Sequence, residues 1–289
     1  GVLVDSFLVL KENCTDTLFY LFSAISGQEV FRFGDKGRGV CEFYYPFFLV
    51  NSFAYDSLII YDSPAATLTK IDLAALVESR DIAKCANSEH LYRNLNFMYN
   101  FNKIDSAFIG TFIEKDEGLF SFCNRNNGEI KNTDYVPYYF YEKGRKDAYC
   151  HHVLVSEKDN SIIVPFKYMN LINCYDLDGN LKVTYALDWI KEEINTQIRV
   201  DEHTTVTFYR TYATRNRCYL VWDGHKIEEE LRKYPAKIVV MNWQGELEKV
   251  YQLDNFADFI IPDEKQRMIY VGVYNAGLEF VEIYKYPML

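Results

Sequence analysis

Leu171-Ile172-Asn173-Cys174-Tyr175-Asp176-Leu177-Asp178-Gly179-Asn180-Leu181-Lys182-Val183-Thr184-Tyr185-Ala186-Leu187 reads as two short strands around one turn. The first five residues are a compact apolar run, and the last seven alternate in character. Between them, Gly179 can take a positive φ without steric cost, and the Asp and Asn side chains can bond their own turn backbone. The segment therefore predicts a β-hairpin. The phrase recurs along the chain. Residues 18–24 lead through Ser26-Gly27-Gln28 into 30–33, and 119–123 lead through Asn126-Asn127-Gly128 to Ile130. Residues 238–243 lead through Gln244-Gly245 into 247–253. A degenerate copy, 58–61 and 68–71, carries Ser63-Pro64-Ala65 in the turn.

The copies are spaced by roughly 40–65 residues, a length that suits four-stranded propeller blades with loop insertions. With the strand-like runs at 2–9, 257–261, 268–273 and 278–284, the chain counts to about six units. The fold class expected is all-β, a six-bladed β-propeller spanning residues 1–289 as one domain. Both ends read as strands, so closure of the ring by mixing N- and C-terminal strands in one blade is expected. Three stretches break the strand pattern and predict short helical insertions: 73–86, 188–198 with Asp188 as N-cap, and 226–234 stopped by Pro235.

Composition narrows the function classes. The chain has 24 Tyr and 21 Phe, residues that suit half-buried pleated surfaces. Its formal net charge is −10, and no long Lys/Arg run offsets it, which argues against nucleic acid as a partner. No stretch approaches the ~20 apolar residues of a membrane-spanning helix. The seven Cys are scattered and form no C-x-x-C, which argues against a zinc ribbon and against a disulfide framework. The first Met is Met98, so an N-terminal segment, such as an export signal, is expected to have been removed ahead of Gly1.

One further segment is specific. Phe33-Gly34-Asp35-Lys36-Gly37-Arg38-Gly39-Val40-Cys41-Glu42-Phe43 resembles the F-G-x-x-G-x-G-P-G-E-[FY] linker of TolB-like six-bladed β-propellers. These are secreted or lipid-anchored proteins of Bacteroides-type bacteria. Gly37, Gly39 and Glu42 match, and Val40-Cys41 replaces the usual Pro-Gly. The hairpins at 173–181 and 240–247 are similar to blade hairpins of that family. The resemblance implies that the linker follows the first blade's outer hairpin. It also implies a cell-envelope location, periplasmic or outer-membrane-anchored, with a lipid anchor on the removed segment. It implies no established activity.

The candidate chemistry sits at channel mouths and loops. Arg38 and Glu42, flanked by Gly37 and Gly39, form either a ligand-binding pair, with Arg38 forking onto a carboxylate or sulfate, or a glycine-dependent turn. Tyr138 and Tyr139 belong to the densest aromatic cluster, with Lys143, Arg145 and Lys146 close behind, and either stack on a ligand or pack between blades. His151 and His152 point to opposite faces of a strand, so they cannot chelate one ion together; His152 is the candidate for the channel. Asp176-x-Asp178-Gly179-Asn180 lacks the acids an EF-hand loop would need at positions 174 and 185, which are Cys174 and Tyr185. No metal site or cofactor is expected. No G-x-S-x-G elbow or H-E-x-x-H occurs. Two functions stand: a cell-envelope recognition protein for a glycan, peptide or partner protein, and a hydrolase or lyase with a channel-mouth metal or carboxylate site.

Overall fold

The structure is a computed structural model that describes residues 1–13, 15–39, 41–49, 57–112, 118–135, 149, 151–187, 200–229, 234–275 and 280–288. Six small antiparallel sheets stand in a ring and form a six-bladed β-propeller. Blade 1 holds β1 (Val2–Val4), β2 (Phe7–Lys11), β3 (Thr17–Ser23) and β4 (Glu29–Asp35). Blade 2 holds β5 (Pro46–Phe48), β6 (Ser57–Asp62), β7 (Thr67–Asp72) and β8 (Ala86–His90). Blade 3 holds β9 (Met98–Lys103), β10 (Ala107–Phe112), β11 (Ser121–Asn124) and β12 (Ile130–Asn132). Blade 4 holds β13 (Leu154–Ser156), β14 (Ser161–Pro165), β15 (Leu171–Tyr175) and β16 (Leu181–Ala186). Blade 5 holds β17 (Thr205–Ala213), β18 (Arg217–Lys226), β19 (Lys237–Asn242) and β20 (Leu247–Gln252). Blade 6 holds β21 (Phe259–Asp263), β22 (Met268–Asn275) and β23 (Phe280–Pro287).

The first strand of each blade is innermost. β9 touches β13, β13 touches β17, β17 touches β21, and β21 touches β1. Side chains alternate across each strand, so each blade packs on both neighbours. On β15, Leu171 and Tyr175 join the core shared with blade 3, whereas Ile172 and Cys174 join the core shared with blade 5. On β18, Cys218 and Leu220 face blade 4, and Tyr219 and Val221 face blade 6. Fully burying one such side chain contributes roughly 1.5–3 kcal/mol, so each inter-blade seam is a substantial stabilising contact.

The glycine hairpins are the outer pairs, third strand to fourth. Gly27, Gly128, Gly179 and Gly245 all have φ between +72° and +86°. The copy with Pro64 is different: it joins the second and third strands of blade 2. In the turn at Asp176, the carboxylate accepts from the N–H groups of Asp178 and Asn180 at 3.0 and 2.9 Å and from Asn180 Nδ2 at 3.1 Å. Burial pushes this carboxyl up, but those bonds together outweigh it and hold it below its ordinary range. The segment is a closed Asx turn.

Two expectations need correction. Every sheet uses strands consecutive in sequence, so among the described residues no blade mixes the two chain ends. The ring closes instead by packing. β21 lies beside β1, Leu8 and Ala24 enter the core of blades 5 and 6, and Tyr270 OH donates to Ala24 O at 3.2 Å. Large side chains across the seam replace a shared ladder. The helix expected over 226–234 begins instead as the last residue of β18 and a turn, with Glu229 N–H bonded to Lys226 O at 3.0 Å; residues 230–233 lie outside the described residues. The segment 73–86 is helical, as α1 (Leu73–Ser79) and α2 (Ile82–Cys85), N-capped by Asp72 and Asp81. The expected helix at 188–198 lies outside the described residues.

Candidate functional site

The linker 36–45 follows the outer hairpin β3–β4 and leads to β5. Lys36 and Phe43 form an isolated parallel bridge, and Phe43 N–H donates to Asp35 O at 2.9 Å. Glu42 folds back into this turn and accepts from Gly39 N–H at 2.7 Å. A Cβ at Gly37 would stand 2.0 Å from Glu42 Oε2, so the carboxylate folds into space that glycine leaves open. The exposed Arg38 lies over the Tyr44 ring at 5.1 Å. His152 opens blade 4, in a different sector of the ring from this linker. Its Nε2–H donates to Tyr209 O at 3.1 Å, and burial lowers its pKa to about 4, against the opposing pull of that bond. His151 bonds the Tyr149 carbonyl through Nδ1, and burial likewise lowers its pKa to about 4. Both imidazoles are therefore neutral near pH 7. Tyr138 and Tyr139 lie outside the described residues.

A cavity of about 320 Å³ lies at the opposite mouth, where the inner strands end. Four blades build it. Its floor is aliphatic: Val2 and Val4 of β1, Leu49 and Leu58 of blade 2, Ala213 of β17 and Pro262 of β21. Its rim is polar and comes from the tight turns after β1, β17 and β21, with Asp5, Arg215, Asn216, Glu264 and Lys265. These turns converge because each inner strand is the first of its hairpin.

Glu264 organises the rim. Its side chain is 18% exposed and accepts from Thr214 Oγ1 at 2.7 Å, Asn216 Nδ2 at 2.9 Å and Tyr219 OH at 3.1 Å. Arg217 Nη1 stands 3.6 Å away, and the same guanidinium pairs through Nε–H with Glu248 Oε2 at 2.5 Å. Burial, and then the adjacent Glu264 charge, hold the Tyr219 phenol well above its ordinary range. Tyr212 OH accepts from Leu3 N–H at 3.3 Å and ties β17 to β1. On the rim, Asp5, at φ +51°, stands 3.8 Å from Lys265 Nζ, an exposed and weak pair. Arg215 is exposed. Among the described residues, no three His, Cys, Asp or Glu converge to hold a metal ion.

No protein-family model matches the sequence, and no curated protein matches it. Solved structures do. The chain is similar to a member of the DUF4221 family from Bacteroides vulgatus at 12% identity, with 99% of this chain and 93% of that chain covered and a TM-score of 0.55. It is also similar to a "Putative exported protein" of Bacteroides fragilis, at 11% identity, 95% and 80% coverage and a TM-score of 0.49. A third is a catalytically inactive virginiamycin B lyase of Staphylococcus aureus in complex with quinupristin, at 10% identity, 98% and 88% coverage and a TM-score of 0.44. At these identities the likeness is one of fold. No described helix is long and apolar enough to cross a membrane.

Sequence reasoning missed this cavity. Its rim residues sit in three turns, at 5, 214–216 and 264–265, that span most of the chain, and no local motif joins them. The signal available was confined to one of the three turns, the charged triplet Asp263-Glu264-Lys265 next to an apolar strand.

Proposed function

We propose that the chain is a recognition protein of the cell envelope that binds a peptide segment by inserting one apolar side chain into the strand-end cavity. The whole chain, residues 1–289, acts as one propeller domain in this reading. The carrying observation is the cavity itself: an aliphatic floor under a rim with charges of both signs. Sugar recognition favours a free aromatic face. The aromatic ring in this lining is Tyr212, whose hydroxyl already serves Leu3. An aliphatic floor suits a Leu- or Phe-type side chain, and the mixed rim suits the polar backbone and flanking charges of a peptide. The envelope address, and kinship with TolB-like propellers, rest on the Gly37-Arg38-Gly39/Glu42 linker.

The test is fluorescence anisotropy with labelled hexapeptides that differ at one central residue. Burying that side chain is worth roughly 1.5–3 kcal/mol, so Leu or Phe peptides are expected to bind about 10- to 100-fold tighter than the Gly peptide. Val4→Trp fills the floor and Arg215→Glu changes only the rim; the first abolishes the preference and the second shifts the choice of flanking charge. Equal affinity across the panel defeats the proposal.

A hydrolase or lyase is the second reading. The feature that favours it is Asp223, a carboxyl whose pKa burial raises to about 7, within range of acid–base chemistry at neutral pH.

A further inference from the structure

The mouth where the inner strands begin carries a separate constellation. The β17–β18 ladder slips twice there, between Val206 and Phe208 and between Phe208 and Arg210. Gly224 permits the distortion: its φ is +69°, and a Cβ there would stand 2.0 Å from the Trp222 ring. Bulges re-aim side chains. Here they leave Asp223, 4% exposed, and His225, 1% exposed, with no hydrogen-bond partner among the described residues on either carboxyl oxygen or either ring nitrogen. A buried polar group without a partner costs roughly 1–3 kcal/mol. Two such residues, two positions apart on one strand, mark a place built for something that is not protein.

Two cations face this pair. Lys167 sits in the turn between β14 and β15, its Nζ 4.9 Å from the ring centroids of both Tyr168 and Tyr209. Thr207 fixes that turn to β17: its N–H donates to Lys167 O at 2.7 Å, and its hydroxyl lies 2.7–3.0 Å from the carbonyls of Phe166, Lys167 and Met169. Arg210 stacks on Tyr209 at 3.7 Å and donates Nε–H to Asp258 O at 2.8 Å and Nη1–H to Tyr209 O at 3.2 Å. Two of its five N–H donors are thereby used. Asp223 lies within electrostatic reach of both cations, and His225 and His152 within reach of Lys167. The acid on the far side, Asp258, is already engaged, since its Oδ2 accepts from Tyr274 N–H at 2.6 Å. The charges free to meet a ligand are therefore the positive ones.

We propose that this mouth is an oxyanion site, in which Lys167 and Arg210 hold a carboxylate or sulfate group while Asp223, as its protonated acid, and His225 donate hydrogen bonds to it. The proposal does not rest on peptide binding at the other mouth. An anion disfavours ionisation of Asp223, so binding takes up one proton wherever Asp223 is ionised in the free protein. Burial raises Asp223 to about 7, with Arg210 and Lys167 opposing and Asp258 adding to the rise. His225 is lowered by burial, with Glu229 opposing and Lys167 adding, and His152 is lowered to about 4. Asp223 therefore changes charge across neutral pH, while His152 stays neutral there.

The probe is inorganic sulfate, which keeps its charge across this range, titrated calorimetrically into the full chain. Saturable one-to-one binding is expected, several-fold tighter at pH 6 than at pH 8 and bounded by tenfold per pH unit for one proton. Lys167→Met, which removes no hydrogen bond of the fold, weakens sulfate at least tenfold, as does Arg210→Gln. Asp223→Asn still binds sulfate but without the pH dependence. Acetate and tetragalacturonate are run alongside: tighter binding of tetragalacturonate assigns the oxyanion to an acidic glycan, and equal binding to a free carboxylate. Absence of sulfate binding at pH 6, unchanged binding in Lys167→Met, or a pH dependence that persists in Asp223→Asn overturns the proposal.

Discussion

Replacing Glu264 by Ala tests how the rim of the strand-end cavity is held. The substitution removes the acceptor for Thr214, Asn216 and Tyr219 and one carboxylate near Arg217. The costs are unequal. Thr214 and Asn216 can turn to water, and Arg217 keeps Glu248. Tyr219 is 1% exposed, and its remaining partner is Met288 Sδ at 3.8 Å, a weak acceptor. A buried hydroxyl stripped of a charged acceptor costs roughly 1–3 kcal/mol. The total destabilisation is therefore about 2–3 kcal/mol, corresponding to a fall in Tm of roughly 4–12 °C for a chain of this size. Urea unfolding followed by circular dichroism reads it directly. Glu264→Gln keeps an acceptor for Tyr219 and should lose about 1 kcal/mol. Peptide affinity should fall in Glu264→Ala even where the fold is intact, because the 214–216 turn forms the cavity wall. A change in stability below 0.5 kcal/mol would refute the reasoning, since Glu264 would then hold nothing.

Three further outcomes follow from the same geometry. Asp223 has its folded pKa raised to about 7, above the unfolded value, so the native state becomes less stable as pH climbs from about 4 to 7; Asp223→Asn should out-stabilise the parent by roughly 1–4 kcal/mol at pH 8 and show no gain at pH 4, by urea titration at both pH values. His151 and His152 have folded pKa values lowered to about 4, so their contribution is present above the ordinary imidazole value and is lost as pH falls from about 6.5 through 4; imidazole NMR should show two rings neutral at pH 5.5, and titration near 6.5 would contradict this. Gly224→Ala forces a Cβ into the Trp222 ring at a positive φ and should destabilise by roughly 1–3 kcal/mol, with a shift in Trp fluorescence; an unshifted spectrum and unchanged stability would show that the β17–β18 distortion does not depend on this glycine.

The outer hairpins were legible because their turns need special backbone. Gly27, Gly128, Gly179 and Gly245 each adopt positive φ; the first, third and fourth lie between two runs long enough to show alternation, whereas β12 after Gly128 has three residues and is marked by the Asn126-Asn127-Gly128 turn alone. The inner strands were harder to read. β1, β5 and β13 have three residues each, too few for a period, and their identity comes from contacts around the ring. Closure differs for a physical reason: strand-like ends suggest a shared blade, but the packing of Leu8 and Tyr270 and the Tyr270 hydrogen bond to Ala24 O seal the seam without a common ladder. At the sites, residue type alone singled out His152, which the fold buries with its Nε2–H on Tyr209 O. Asp223 and His225 were hidden in Tyr219-Leu220-Val221-Trp222-Asp223-Gly224-His225, where the clue is an acid, a glycine and an imidazole interrupting a buried apolar strand. The cavity rim was invisible because it assembles only once six blades have closed.

Hydrogen exchange with and without a Leu-bearing hexapeptide tests the functional claim most directly, because it separates the two mouths. The account predicts slowed exchange in the turns at residues 5–6, 214–216 and 264–267, with no change around Lys167, Arg210 and Asp223. Protection around Lys167 and Arg210 instead, or none anywhere at saturating peptide, would contradict it.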